Sequence, residues 1–519
     1  MTLPAERPSE LRAGPRIAPR AQPRAAWRPR AGGVRSRGWL GPLAAVWARL
    51  PLHEPMIRSS VVTMGGTVVS AGLGYLYWLI VARLAVTAQV GYASSAMSLV
   101  TGLSLVTNLG VCGFVVERMP GLEGRRAWAR TLKRTLWPTA LLSFAVTAAV
   151  EIVVVLSAVD PAQRGLQAIL VAAAAALGLT FVEILTVVFI SARRAELAVL
   201  LGAVVGVAKV ASLAVFLFGG AGVSSLLIGW AAAILLSCVV GALVLLPRAG
   251  LGRLGGPTLG RWAHADLRSV LGHHLTSVGG LMVPYLLPTL VVYRLDATRN
   301  AYFYATWMFG SIFFMISPSV ESALFVEGVR DRLRLAANTR RAFRLLGLLM
   351  PVPILLGVFG GRYLLRVFGG DYARNGSVLL AILAIAAVPD AVTNIGAGVL
   401  RATGRLRWSA LLNVAMGVIS LGGAWFALPV MGITGAGVAW LAAQSVGSLA
   451  VAPMLCRLWA TPAEATIGRP AAGRPERPDR AVGIGPPGRS RSAPGRRLPA
   501  ARHRRPGRSE RILDRTVAR

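Results

Sequence analysis

Five side chains that can carry a charge or form strong hydrogen bonds lie inside long apolar stretches of the chain. They are Glu151, Glu183, Lys209, Asp390 and Asn394. Placing a charge at the centre of a bilayer costs at least roughly 2.5–3.5 kcal/mol, so intramembrane charges face a partner or water and mark functional sites. These five residues are therefore the candidate substrate or ion site, with an ammonium for an anion and carboxylates for a cation.

Lys209 is one of only two lysines in a chain that otherwise uses arginine. Glu183 lies twelve residues before Ala195 on one apolar stretch, and Lys209 lies fourteen residues after it on the next. At about 1.5 Å per helical residue the two differ in depth by roughly 3 Å. A Glu183–Lys209 pair is therefore permitted, either as part of a substrate site or as an ion pair that only orients two helices.

Asp390 follows Pro389, which removes one backbone hydrogen-bond donor from its helix. Asn394 lies one turn further on the same helical face. Because a proline interruption in a membrane helix often borders a cavity, we expect a break in the helix here and a polar site beside it. Pro318 predicts a comparable interruption in an earlier helix.

No other pattern predicts catalysis, a cofactor or a metal site. The three cysteines, Cys112, Cys238 and Cys456, each lie alone in an apolar run without the spacing of metal ligands. No nucleotide cradle or HExxH sequence occurs, and the predicted external loops are too short to hold polar catalytic machinery. We therefore expect no enzyme activity.

Twelve apolar stretches, each about as long as the roughly 20 residues that cross a bilayer, must position these side chains. The composition agrees, with 55% hydrophobic and 15% charged residues. The stretches are continuous rather than alternating, so they predict helices and an all-α integral membrane fold. We place them at 59–82, 93–116, 136–158, 166–191, 197–218, 221–247, 271–293, 301–326, 343–361, 377–400, 408–430 and 432–456.

Basic residues fall unevenly on the connections between these stretches. Alternate connections carry 21 Arg and Lys residues on one side and 7 on the other. The positive-inside rule places the richer side in the cytoplasm, and an even number of helices then places both termini there.

An internal repeat divides the membrane region into two halves. The sequence LIVARL at 79–84 is followed by Gly91 and Tyr92, and LVVYRL at 290–295 is followed by Ala301 and Tyr302. Six helices per half make the repeat parallel, with a transport site expected between the halves. We predict a first six-helix bundle at 57–247, a cytoplasmic linker at 248–270 and a second six-helix bundle at 271–457.

Two basic tails account for much of the net charge of +35. Residues 1–56 hold ten arginines and residues 458–519 hold fifteen, among many Pro, Ala and Gly residues. Such segments cannot build a packed core, so we expect them to be disordered. They suit an anionic inner leaflet and lack the interleaved aromatic residues of a nucleic-acid site, so no nucleic-acid partner is expected.

Three segments of the membrane region resemble a known family. They are the stretch that begins LIVARLAVTAQVGYASSAM, the run from Phe359 and Gly360 through Phe368, Gly369 and Tyr372 to the turn at 400–405, and GITGAGVAWLAAQ at 432–444. Over about 57–457 the chain resembles the Wzx-like polysaccharide-biosynthesis flippases of the multidrug, oligosaccharidyl-lipid and polysaccharide exporter (MOP) superfamily, which has a MATE-like fold. The resemblance implies a multi-pass protein of the bacterial cytoplasmic membrane.

The resemblance also implies the movement of a lipid-linked oligosaccharide or polysaccharide precursor by alternating access between two bundles. Lys209 would then meet phosphate or an acidic sugar, while Glu183, Asp390 and Glu151 would carry a coupling proton or sodium ion or hold the cation in place. Two alternatives stay open, namely a cation-coupled exporter of drugs or other small molecules with the same fold, and a membrane scaffold that no longer transports.

Overall fold

Helices form all the regular structure of the described residues. The computed structural model describes residues 55–119, 122, 125–157, 166–220, 222–250, 270 and 283–460. No strand occurs within these ranges, so the predicted all-α membrane fold is confirmed. The two predicted tails and the predicted linker lie almost entirely outside the described residues.

The first half of the membrane region contains six helices. Four are uninterrupted, namely α1 (Pro55–Leu84), α2 (Thr87–Arg118), α3 (Arg125–Ser157) and α4 (Leu166–Ser191). Helix α5 runs over Ala195–Ala211 and resumes after Ser212 as Leu213–Phe218. Helix α6 runs over Val223–Val240 and continues through a π-helical turn, Gly241–Leu245, into Leu246–Arg248.

The second half repeats this order. The described part of α7 is helical over 283–294. Helix α8 comprises Ala297–Phe314 and Ile316–Arg330, and α9 comprises Leu335–Leu349 and Pro351–Leu365 after a short 3₁₀ turn at Arg332–Arg334. Three long helices complete the chain, namely α10 (Gly370–Ala402), α11 (Leu406–Met431) and α12 (Thr434–Ala460).

Eleven helices of the described residues are long and apolar enough to cross a membrane, and they match eleven of the twelve predicted spans. The remaining span was predicted at 271–293, and its first twelve residues lie outside the described ranges. Helix α3 begins at Arg125, well before the predicted start at 136. Its arginine-rich first turns continue the helix beyond the apolar stretch, which hydropathy alone does not detect.

Helices α8 and α9 are interrupted at positions that proline explains. The second segment of α8 begins after Met315 with Pro318 in its first turn, and the second segment of α9 begins at Pro351. Proline is tolerated in a first turn, where no backbone donor is needed. Helix α10 instead continues through Pro389. The prediction of a break in this helix beside Asp390 was therefore wrong. The interruption nearest to Asp390 is the one in α8.

Helices α4 and α10 occupy equivalent central positions in the two halves. Helix α4 packs against α2, α3 and α6, and α10 packs against α8, α9 and α12. Small residues allow these helices to approach closely, as where Gly178 meets Ile234 and Gly396 meets Val451. The opposite surfaces expose large apolar side chains, such as Phe426 and Val430 of α11. An apolar outer surface is what a lipid environment requires.

Candidate functional site

The two halves meet chiefly where α2 packs against the first segment of α8. A Cβ atom on Gly91 would lie 1.7 Å from the Ala297 carbonyl oxygen, so the two backbones are in direct contact. The Asn300 side-chain amide donates to the Gly91 carbonyl oxygen at 2.7 Å and to the Ser94 hydroxyl at 3.1 Å. These contacts lie near the Leu84–Thr87 turn, on the predicted external side.

Aromatic side chains extend this contact between the halves. Trp78 of α1 packs edge-on against Tyr304 of α8, with ring centroids 4.8 Å apart. The Tyr75 hydroxyl donates to the Met308 carbonyl oxygen at 2.6 Å. We call this group the aromatic layer; its members are Tyr75, Trp78, Tyr302, Tyr304, Phe309, Phe368 and Tyr372.

Toward the predicted cytoplasmic side, the described helices of the two halves share no comparable contact. The second segment of α8, Ile316–Arg330, makes no extensive contact with any described helix of the first half. The first segment of the same helix packs closely on α2. Among the described helices, the extensive contact between the halves therefore lies toward the predicted external side.

Glu183 lies on α4 and Lys209 lies on α5 of the first half. Both are half-buried and close enough to interact electrostatically. The ion pairs of the described residues, which require a distance of 4.0 Å or less, do not include a pair between Glu183 and Lys209. The ammonium therefore has a nearby counter-charge without direct ion pairing.

The surroundings of Glu183 include both halves of the molecule. Tyr285 of α7 and Cys112 of α2 are close enough to feel its charge. Tyr285 also packs on α2, where a Cβ atom on Gly102 would lie 2.6 Å from the Cβ atom of Tyr285. Tyr285 was not among the predicted site residues, because nothing in a span of uniform hydropathy shows which helical face meets the other half.

Asp390 and Asn394 form a second polar group with Ser317, at the interruption of α8. The Ser317 hydroxyl donates to Asp390 Oδ2 at 2.6 Å, and Asn394 Nδ2 donates to the same oxygen at 3.0 Å. Asn394 Nδ2 also lies 3.1 Å from the Ser317 hydroxyl. Asp390 is buried, so these two donors replace the water that it would otherwise bind. The sequence did not single out Ser317, although its place next to Pro318 was a signal.

Glu151 belongs to neither group. It is buried on α3 and ends a row of polar residues spaced four apart, namely Thr135, Thr139, Ser143 and Thr147. The Ser143 hydroxyl donates to the Ala176 carbonyl oxygen of α4 at 3.5 Å. No hydrogen bond or ion pair joins Glu151 to another residue that the structure describes. The five predicted residues are thus distributed over three places.

A buried ion pair ties α8 to α10 near their predicted cytoplasmic ends. Glu321 is 4% exposed and pairs with Arg401, whose guanidinium also lies 5.2 Å from the centre of the Phe325 ring. Gly398 makes room for the pair, because a Cβ atom there would lie 3.0 Å from the Glu321 side chain. This carboxylate has a local partner and a structural role.

Replacing Glu321 with glutamine is expected to lower the melting temperature of the purified protein. Removing one charge from a buried pair is costly, but Arg401 is 38% exposed on its side chain, so we expect about 1–2 kcal/mol. The matched control is Glu196→Gln, because Glu196 pairs with Arg194 and both side chains are 54% exposed. Equal melting temperatures for the two variants would contradict the structural role of Glu321.

Metal ligands are not clustered in the described residues, where no group of three His, Cys, Asp or Glu side chains is placed to hold a metal ion. The three cysteines are unpaired. The polar side chains near mid-membrane can bind a small cation, a proton or an anionic group.

Comparison with known proteins identifies the fold. No protein-family model matches the chain, and no curated protein matches its sequence. The chain is similar to an inward-facing multidrug resistance MATE family transporter of the MOP superfamily, at 16% identity and a TM-score of 0.58, over 76% of this chain and 95% of that one. It is also similar to the lipid II flippase MurJ in an inward closed conformation, at 12% identity and a TM-score of 0.65, over 78% and 89%. At these identities the likeness establishes a shared fold.

Proposed function

We propose that this protein is a transporter that moves a lipid-linked oligosaccharide or polysaccharide precursor across the cytoplasmic membrane by alternating access. The observation that carries the proposal is the one-sided contact between the halves, which Gly91, Ala297 and the aromatic layer form on the predicted external side. Glu183 lies close to Tyr285 of the opposite half, and Lys209 lies close to Glu183. The fold shared with MATE transporters and the lipid II flippase MurJ supports this proposal.

Lys209 is the group that we assign to the anionic part of the substrate. Its ammonium offers three donors to a phosphate or an acidic sugar, and the half-buried setting strengthens such a contact relative to water. Glu183 balances the positive charge of Lys209 when no substrate is bound, without forming a direct ion pair with it. The glycan and phosphate would cross between the halves while the lipid stays in the bilayer.

Asp390, Ser317 and Asn394 are the group that we assign to the coupling ion. A carboxylate, a hydroxyl and an amide together present the oxygen ligands that a hard cation prefers, and the carboxylate alone can take a proton. The group joins α10 to the interruption of α8. Occupation of this group would therefore change how the two segments of α8 meet.

Replacing Asp390 with asparagine is expected to abolish the dependence of transport on an imposed proton or sodium gradient. Asparagine keeps the size of the side chain and an acceptor oxygen but removes the charge. The measurement is transport by reconstituted protein with and without each gradient. Asp371→Asn is the control, because Asp371 lies exposed on the same helix and pairs with Arg374. A gradient response equal to that of the wild type would rule out the assignment.

A second candidate function is the export of cationic drugs. It is favoured by the carboxylates Glu151, Glu183 and Asp390, which outnumber the single deep ammonium, and by the fold shared with a multidrug resistance MATE family transporter. Proteoliposomes containing the full chain would separate the two functions. We expect a fluorescent lipid-linked oligosaccharide to change leaflets and a cationic dye to stay unaccumulated. Dye transport without movement of the lipid would reject the flippase proposal.

A further inference from the structure

An apolar groove lies on the second half of the molecule, between α9, α10 and α12. It has a volume of about 280 Å³ and is lined by Phe343, Val392, Ala452, Leu455, Cys456 and Trp459. Ala452, Cys456 and Trp459 are spaced as one face of α12, and Leu455 forms the buried edge. The groove is open, and no charged side chain lines it.

The groove faces lipid in the predicted cytoplasmic leaflet. Trp459 is one residue from the end of α12. Ala452 lies seven residues further into the membrane than Trp459, which corresponds to about 10.5 Å along the helix. Helices α9 and α12 make no extensive contact with the described helices of the first half, so the groove lies away from the contact between the halves. The end of the groove near Ala452 is thus at the depth of acyl chains, and the end near Trp459 is at the depth of the head groups.

The end of the groove near Trp459 carries positive charge. Arg340 Nη1 donates to the Trp459 carbonyl oxygen at 3.1 Å, which fixes Arg340 at the rim. The rings of Phe343 and Trp459 lie 5.8 Å apart and hold the two helices together there. Arg344 is exposed one turn after Arg340, and Arg457 is exposed next to Cys456. The segment Leu335–Leu349 contains three arginines and no acidic residue.

We infer that this groove binds one anionic phospholipid of the cytoplasmic leaflet, with an acyl chain along α12 and its phosphate at Arg340 and Arg344. Charge complementarity selects this occupant. The chain's own C-terminal segment from residue 461 is unsuited to the rim, because its fifteen arginines would meet the arginines already there. A zwitterionic lipid would fill the apolar part without matching the charge.

The test is lipid binding by the full-length purified protein, measured by native mass spectrometry. We expect phosphatidylglycerol to bind at least tenfold more tightly than phosphatidylcholine with the same chains. Arg344→Gln is expected to remove most of this preference, and Arg407→Gln, an exposed arginine at the start of α11, is expected to keep it. Ala452→Phe is expected to reduce the binding of both lipids, whereas Val430→Phe at the opposite end of α11 is not.

Three outcomes would overturn the inference. One is equal binding of the two lipids by the wild type, and another is an unchanged preference in Arg344→Gln. The third is a large gain in lipid binding after removal of residues 461–519, which would make that segment the occupant. If Ala452→Phe does not fold, the comparison of Arg344→Gln with Arg407→Gln still decides. Transport is not part of the readout, so failure here is distinct from failure of the proposed function.

Discussion

Replacing Lys209 with alanine is expected to reduce transport of the lipid-linked oligosaccharide by about 10- to 100-fold. A hydrogen bond to a charged group contributes about 1.5–3 kcal/mol, and each 1.4 kcal/mol corresponds to a factor of ten. The measurement is the initial rate of movement between leaflets in proteoliposomes. Lys133→Ala is the matched control, because Lys133 is the only other lysine and lies in the arginine-rich first part of α3.

A double variant separates substrate binding from simple charge balance. If Lys209 only neutralises Glu183, then Glu183→Gln combined with Lys209→Ala should restore the rate, because neither charge is left alone. If Lys209 contacts the substrate, the double variant stays as slow as the single one. Residues that interact give such non-additive effects, and distant ones do not. Recovery in the double variant would remove Lys209 from the substrate site.

Replacing Gly91 with alanine is expected to open the contact between the halves and to slow transport more than tenfold. The added Cβ atom would lie 1.7 Å from the Ala297 carbonyl oxygen and 2.5 Å from its carbonyl carbon. Backbone atoms in two packed helices cannot move aside as a flexible side chain can. Helices α2 and α8 must therefore separate, and the aromatic layer separates with them.

The opening can be measured from the predicted external side with an impermeant maleimide. The reporter is Ala301→Cys, because Ala301 is fully buried beside the aromatic layer, in a background where Cys112, Cys238 and Cys456 are serine. Gly91→Ala is expected to raise its labelling rate strongly. Gly74→Ala is the control, since a Cβ atom on Gly74 would have nothing within 4 Å. Equal labelling of the two variants would show that this contact does not control access.

Hydropathy was sufficient to predict the helices, because crossing a bilayer demands continuous apolar length and internal backbone hydrogen bonds. It was insufficient to predict where they are interrupted. Pro318 and Pro389 look alike in the sequence, but α8 is interrupted near the first and α10 continues through the second. Neighbouring helices decide whether a proline ends a helical segment, and a single sequence does not show those neighbours.

The candidate site was predicted in part for a similar reason. The spacing of Asp390 and Asn394 predicted that they share one face of a helix, and the structure contains a hydrogen bond between their side chains. Their third partner, Ser317, comes from another helix and was missed. Counting residues predicted similar depths for Glu183 and Lys209, but it did not predict the approach of Tyr285 from the opposite half.

The sequence by itself determined that this chain is an all-α membrane protein and predicted eleven of the helices that the structure describes. These properties follow from local composition and from helical periodicity, which neighbours in sequence share. Only the tertiary structure decided that Gly91 meets Ala297, that Ser317 binds Asp390, and that the extensive contact between the described helices of the two halves lies toward the predicted external side. The physical reason is that contacts between helices depend on the shapes of side chains that lie 73 to 209 residues apart in the chain. Hydropathy does not encode those shapes.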